Sequence, residues 1–346
     1  MDDLDKQLLN RIQSDFPLAV RPYQTLGEPL GLSEDEVLAR VGALKAERII
    51  RQVSAIFDTK SLGYKSSLVA MRLPSDRVAD AARIINEHPG VTHNYERNHE
   101  YNLWFTIGVP PTSDLEAIVD RMHELVKAEV TRVMYTLRLF KIGVNLDMTG
   151  QRPADATSTP EYVEEDRVRA RDYELSELDK RVVRELQEDL PVERRPFRAM
   201  AERIGTDEAD LFASALDLQR RGFLRRFAAI LYHRKAGFKA NGMGVWAAPP
   251  DDVIQIGQKM ASFSAVSHCY QRPTYPDWPY NIFTMVHGRS MDECEEILRA
   301  IAKATGVTKY TSLYSTREYK KTRLRFYMSE YEEWEARYLP EGVAAG

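Results

Sequence analysis

The stretch His93-Asn94-Tyr95-Glu96-Arg97 returns 175 residues later as His268-Cys269-Tyr270-Gln271-Arg272. A shared H-x-Y-x-R alone would be a weak coincidence, but its flanks return as well. Asn102 of NLWFTI matches Asn281 of NIFTMV at an offset of 179, so the second copy holds four extra residues between Arg and Asn. Toward the N-terminus, Leu4-Asp5-Lys6 recurs as Leu178-Asp179-Lys180, Pro17 as Pro191 and Pro22 as Pro196, all at an offset of 174. A unit this long is too large for a solenoid repeat. The chain is a duplicated module, a covalently linked pseudo-dimer.

Each copy has the same order of elements. Leu4, Leu8, Leu9 and Ile12 place apolar side chains on one helical face, and Leu178, Val182, Val183 and Leu186 repeat the pattern. A short helix is expected after Pro22 and after Pro196. Ser33 with Glu36 has capping-box spacing and opens a third helix, whose inward residues are Val37, Val41 and Leu44. The equivalent helix starts near Thr206, with Leu211, Ala215 and Leu218 inside. Strands are expected over 51–57, 66–73, 92–97, 103–109 and 131–141, with helices over 76–87, 113–128, 251–262 and 291–305. Without its first strand, this order is βαββαβ, a ferredoxin-like unit. The fold class is therefore α+β, a tandem duplication of winged helix-turn-helix plus ferredoxin-like domain. The expected divisions are 1–50 and 175–224 for the helix-turn-helix domains and 51–146 and 225–328 for the ferredoxin-like domains. Between them lies a linker, 147–174, rich in Pro, Ala, Ser and charge, and a tail follows over 329–346.

The chain has 346 residues, about two domains' worth, with 43% apolar and 29% charged residues, which is ordinary for a globular protein. Its net charge of -4 argues against bulk affinity for nucleic acid. The third helices begin Ser33-Glu34-Asp35-Glu36 and Thr206-Asp207-Glu208, carboxylates that favour a helix start but repel phosphate. Two cysteines build no disulfide framework and fit a reduced, cytoplasmic setting. The acidic opening MDDLDK reads as no signal peptide, and no apolar run of about 20 residues suggests a membrane helix. There is no CxxC, HExxH, P-loop or GxGxxG.

A winged helix-turn-helix followed by βαββαβ resembles the Lrp/AsnC superfamily. HNYERNHEYNLWFTIGV (93–109) and HCYQRPTYPDWPYNIFTMVHG (268–288) are more specific. With TLRLFKIGV (136–144), HRKAGF (233–238) and LYSTREYKKTRLRFY (313–327), they resemble the two subunit types of siroheme decarboxylase, fused in one chain. The resemblance implies a carboxy-lyase that takes two acetate carboxyl groups from siroheme, giving didecarboxysiroheme in haem or haem d1 biosynthesis. It implies no organic cofactor. Siroheme, with its iron, is the partner as substrate. A tetrapyrrole-responsive transcription regulator of the same fold is the competing class. The duplication already supplies one pseudo-twofold partner, so both monomer and homodimer fit.

On a strand, residues two apart share a face, so His93, Tyr95 and Arg97 form a row, as do His268, Tyr270 and Arg272. The two histidines are expected as general acids or iron ligands, and Arg97 and Arg272 as carboxylate anchors. Siroheme is a flat iron macrocycle with eight carboxylates. The basic and aromatic residues His233, Arg234, Lys235, Arg317 and Lys320, together with Trp278, Tyr280 and His99, are further expected to contact it. His287 is an additional candidate. The proline-rich stretch 273–280 has no equal in the first copy and reads as a rigid aromatic cap, which favours the second copy as the productive half. Cys269 alternates to the opposite face and reads as a core thiol.

Overall fold

The computed structural model describes residues 1–142, 173–232 and 240–340. Residues 147–172 of the expected linker, and His233, Arg234 and Lys235, lie outside the described residues. The chain divides into two compact units, 1–64 with 167–235 and 325–329, and 65–166 with 236–324 and 330–346.

The first unit holds both helix-turn-helix segments. Helices α1 (Asp3–Ser14), α2 (Pro22–Gly27) and α3 (Glu34–Ala46) lead into strand β1 (Ile50–Phe57). Helices α6 (Glu177–Leu186), α7 (Arg198–Ile204) and α8 (Glu208–Arg220) lead into β7 (Leu224–Leu231). The expected capping box is present at Ser33 and Glu36, and Asp2–Asp5 and Ser176–Asp179 repeat it at α1 and α6. Leu8, Leu9 and Ile12 are buried, as are Val182, Val183 and Leu186, but Leu178 is 42% exposed. It sits in the first turn, where the amphipathic stripe has already rotated outward. β1 and β7 pair antiparallel with each other, so the first strand of each expected ferredoxin-like half belongs with the helices.

The second unit is built on a nine-stranded sheet among the described residues. β2 (Lys65–Arg72), β3 (Val91–Arg97), β4 (Leu103–Val109) and β5 (Val130–Met134) give the order β5-β2-β4-β3. β8 (Ala240–Trp246), β9 (Val266–Gln271), β10 (Ile282–Gly288) and β11 (Tyr310–Lys321) give β11-β8-β10-β9. Each is the ferredoxin-like order, and the two are joined by exchange. The far half of β11 pairs with β3 of the first copy, while β6 (Arg138–Ile142) pairs with β9 of the second. The single strand expected over 131–141 is thus broken into β5 and β6, whereas β11 stays continuous through two bulges.

Helices α4 (Val78–Ile85) and α5 (Leu115–Val126) cover the first half-sheet, with Ile85, Ile118 and Val119 against Phe105 and Ile107. α9 (Val253–Ala261) and α10 (Met291–Thr305) cover the second, around Trp246, Cys269 and Leu298. The opposite faces share another core, where Trp104 and Met134 of the first copy meet Val245, Trp278, Phe283 and Leu313 of the second. In the expected tail, α11 (Glu330–Tyr338) brings Trp334 and Tyr331 onto His88. No helix among the described residues is long and apolar enough to cross a membrane.

Candidate active site

The two H-x-Y-x-R rows lie on the sheet face turned away from the helices. Their alternate residues show this directly. Asn94 donates to the carbonyl of Ala82 on α4, and the Cys269 thiol points at Gly257 of α9. The intervening His, Tyr and Arg therefore share the other face, as the period of two requires. The rings of His93 and Tyr95 are 6.2 Å apart, and those of His268 and Tyr270 are 6.1 Å apart. Arg97 reaches over Tyr95 at 5.7 Å, and Arg272 over Tyr270 at 4.8 Å and Phe283 at 5.3 Å.

Both arginines are buried and make the same bond across the duplication. Arg97 Nη1 donates 2.9 Å to the carbonyl of Leu313, and Arg272 Nη1 donates to that of Met134, the matching residue of the other copy. Neither forms an ion pair among the described residues, and the Nε of each is buried without a partner. Burial pushes both guanidiniums down to about 10, so they remain charged at neutral pH. A buried cation without a counter-ion is expensive. Two of them in matching places suit a ligand that brings its own carboxylates.

Burial likewise pushes His268 down to about 4, aided by the nearby charges of His93 and Arg272. The two rows thus lie close enough for their histidines to feel each other. The exchanged strands make their surroundings unequal. Opposite Tyr95 and His93 stand Glu318 and Lys321, while opposite Tyr270 and His268 stand Leu139 and Ile142.

Several expected contacts lie elsewhere. Arg317 and Lys320 pair with Glu96 and Asn94, on the helix-covered face. Lys320 Nζ donates to the carbonyls of Asn86 and His88 at 2.9 and 3.3 Å, and Arg317 lies over Tyr319 at 5.0 Å. Between its two bulges the alternation of β11 is inverted, which turns Arg317 to the helix side and Glu318 toward the row, and beyond them Lys321 stands opposite His93. Trp278 is no free cap, because it is fully buried among Tyr101, Trp104, His99, Tyr280 and Phe283. Its loop is pinned by Asp277, which accepts from Arg132 at 3.0 Å and from the Tyr101 hydroxyl at 2.6 Å. Tyr280 is only partly buried. His99 accepts from the Tyr101 amide at 3.1 Å, and burial lowers its pKa. Ser267 and Thr92, the hydroxyls beside the two row histidines, carried no sequence signal of their own.

Known proteins match the chain over both copies. A family model described as an AsnC-like ligand binding domain matches residues 61–141 and 235–320, and one described as a siroheme decarboxylase NirDL-like HTH domain matches 5–51 and 179–225. A siroheme decarboxylase of Hydrogenobacter thermophilus is 38% identical, over 96% of this chain and 97% of its own. A siroheme decarboxylase beta subunit of Methanosarcina barkeri is 41% identical, over 44% of this chain and 99% of its own length. The crystal structure of the siroheme decarboxylase NirDL in co-complex with an iron-uroporphyrin III analogue superposes with a TM-score of 0.77 at 33% identity, covering 97% of this chain and 99% of that one. A duplicated βαββαβ sheet carrying two facing His-Tyr-Arg rows, matched end to end by such relatives, places the chain in the siroheme decarboxylase family, in its fused two-module form.

Proposed function

We propose that the chain decarboxylates two acetate side chains of siroheme, giving didecarboxysiroheme, with the two His-Tyr-Arg rows as its reaction centre. The observation that carries the site assignment is the pair of buried arginines without a counter-ion among the described residues, each beside a tyrosine and in line with a histidine. Arg97 and Arg272 hold spectator carboxylates of the substrate. A carboxylate that is to leave must not be neutralised too tightly, since that would stabilise the ground state. The apolar Leu139 and Ile142 beside the second row disfavour the charged group instead.

The carbon–carboxylate bond breaks, its electron pair passes into the attached pyrrole, carbon dioxide leaves, and a proton on the former methylene completes a methyl group. His268 and His93 are the acids. His268 rests neutral, because its pKa lies near 4. A substrate bearing many carboxylates raises it, since opposite charge favours the imidazolium. Charging is thereby coupled to occupancy. The flat ring of the substrate meets Tyr95, Tyr270 and Tyr280 on the same face. The chain works in the cytoplasm, as the pseudo-dimer alone or as a homodimer of it.

The test is anaerobic incubation of the full chain with siroheme, followed by product mass. Loss of two carbon dioxide units is expected. A variant with both His93→Ala and His268→Ala that turned over normally would defeat the acid assignment.

A further inference from the structure

Ser267 joins two histidines of the second copy. Its Oγ lies 2.8 Å from Nδ1 of His268 and 2.6 Å from Nε2 of His287, and Nδ1 of His287 lies 2.7 Å from Oδ1 of the exposed Asn241. His287 is only partly buried, so this series runs from the protein surface to the row. Strand pairing creates it. His287 on β10 stands opposite Asn241 on β8, and a register shift beside Met285 brings Ser267 of β9 between the two rings. A serine hydroxyl donates one hydrogen bond while accepting another, which is what a link between two imidazoles requires.

The first copy keeps the inner half and lacks the outer half. Thr92 replaces Ser267, and its Oγ1 lies 3.0 Å from Nδ1 of His93. The position of His287, however, is Gly108. A Cβ there would lie 2.7 Å from the Leu324 side chain, so leucine fills the space that the second imidazole occupies in the other copy. The hydroxyl–histidine pair is common to both copies, but only one copy continues it outward.

We propose that His287 and Ser267 form a proton inlet that recharges His268 from solvent during decarboxylation, with Asn241 orienting the outer ring. The inference rests on the decarboxylase reading above. Each carboxylate that leaves as carbon dioxide leaves an electron pair on carbon, and one proton must be taken up to form the methyl group. When His287 is an imidazolium, Nδ1–H donates to Asn241 Oδ1 and Nε2–H donates to Ser267, whose hydroxyl donates to His268 Nδ1. A shift of both protons inward along the series charges His268 and leaves His287 neutral. His268 passes its Nε2 proton to one carbon and keeps the proton on Nδ1, so the series supplies one of the two protons and His93 the other. The partly buried His287 ring turns off Ser267 to take its replacement from water on Nε2, and His268 regains its Nε2–H tautomer by exchange with water once the product has left. No oxidant or reductant is needed. In this scheme His287 and Ser267 are positioning and relay residues, and neither touches the substrate.

The experiment uses the full chain with siroheme, anaerobically, with initial rates by product mass in buffers with and without added imidazole. His287→Ala should lower the rate on the order of tenfold, less than the 10²–10⁴ of a lost general acid. Siroheme affinity should be unchanged, and added imidazole should restore the rate saturably. Ser267→Ala should show the same fall without rescue, and Ser267→Thr should recover. A wild-type rate in His287→Ala, or a loss that imidazole leaves untouched, overturns the inlet. Absence of decarboxylated product from the wild type instead sinks the decarboxylase reading, and the inlet with it. A turnover-free readout guards against misfolding. In ¹⁵N-histidine spectra of the full chain, Ser267→Ala should shift the ring nitrogens of both His268 and His287, and a shift confined to one would overturn the linkage.

Discussion

Arg97 and Leu313, from opposite copies of the duplicated module, are joined by one hydrogen bond of 2.9 Å from guanidinium Nη1 to a backbone oxygen. Arg272 and Met134 repeat it. A neutral carbonyl compensates little of the cost of burying a cation, which is several kcal/mol per ion. The arginines therefore weaken the empty protein in exchange for anion binding. Arg272→Met, apolar and of similar length, should unfold at the same or a higher temperature, with a gain of about 1 kcal/mol or more. The same variant should bind siroheme at least tenfold more weakly by absorption titration. A lower unfolding temperature with unchanged affinity would make Arg272 a structural clamp.

The two rows differ through the strands they borrow. Ile142 stands opposite His268, whereas Lys321 stands opposite His93. Ile142→Glu would place a carboxylate beside the His268 imidazole. An opposite charge at that range favours the charged form by about 1 unit or more. The His268 titration midpoint, about 4 in the native chain, should therefore move upward, read from the ring proton shifts. An unmoved midpoint would mean that residue 142 does not face the row.

Trp278 belongs to the core between the half-sheets, with its ring edge-on to Tyr101 at 5.5 Å and tilted against Trp104 at 5.4 Å. Trp278→Ala should cost about 3–5 kcal/mol, the range for truncating a fully buried aromatic. Denaturant unfolding would measure it. A loss below about 1 kcal/mol, with siroheme binding abolished, would restore the cap role that its proline-rich loop suggests.

Local spacing is what made most of this readable in advance. A period of two put His, Tyr and Arg on one face, and duplication showed it twice. Ser33 with Glu36 marked a helix start because capping chemistry spans only three residues. Arg317 was misplaced because the first bulge in β11 inverts the alternation, and a bulge has no signature in side-chain identity alone, whereas Lys320 falls on the helix-covered face by simple alternation from Leu313. Glu318 and Leu139 acquire meaning only once strand exchange sets each opposite a tyrosine of the other copy. The tail hid α11, whose Trp334 packs on His88, because one amphipathic helix says nothing about the face it will cover.

His88 supplies a pH prediction independent of the site. It is fully buried, its Nδ1 accepts from the Gly90 amide at 3.0 Å, and its ring lies 4.6 Å from that of Trp334. Burial pushes its pKa down from 6.5 to about 3, with a smaller push from Lys320. Between those values the unfolded chain binds the proton and the folded chain does not, so stability falls as the pH drops. From pH 7 to pH 5 this one group removes about 2 kcal/mol, the slope nearing 1.36 kcal/mol per unit once the pH is below 6.5. His268 adds a loss of the same sign. His88→Asn keeps an acceptor for Gly90 but neither titrates nor fills the ring's space. It should be less stable than the native chain at pH 7 and lose about 2 kcal/mol less on acidification to pH 5. Urea midpoints across that interval would measure both effects, and a variant as acid-sensitive as the parent would show that His88 is not the group that titrates.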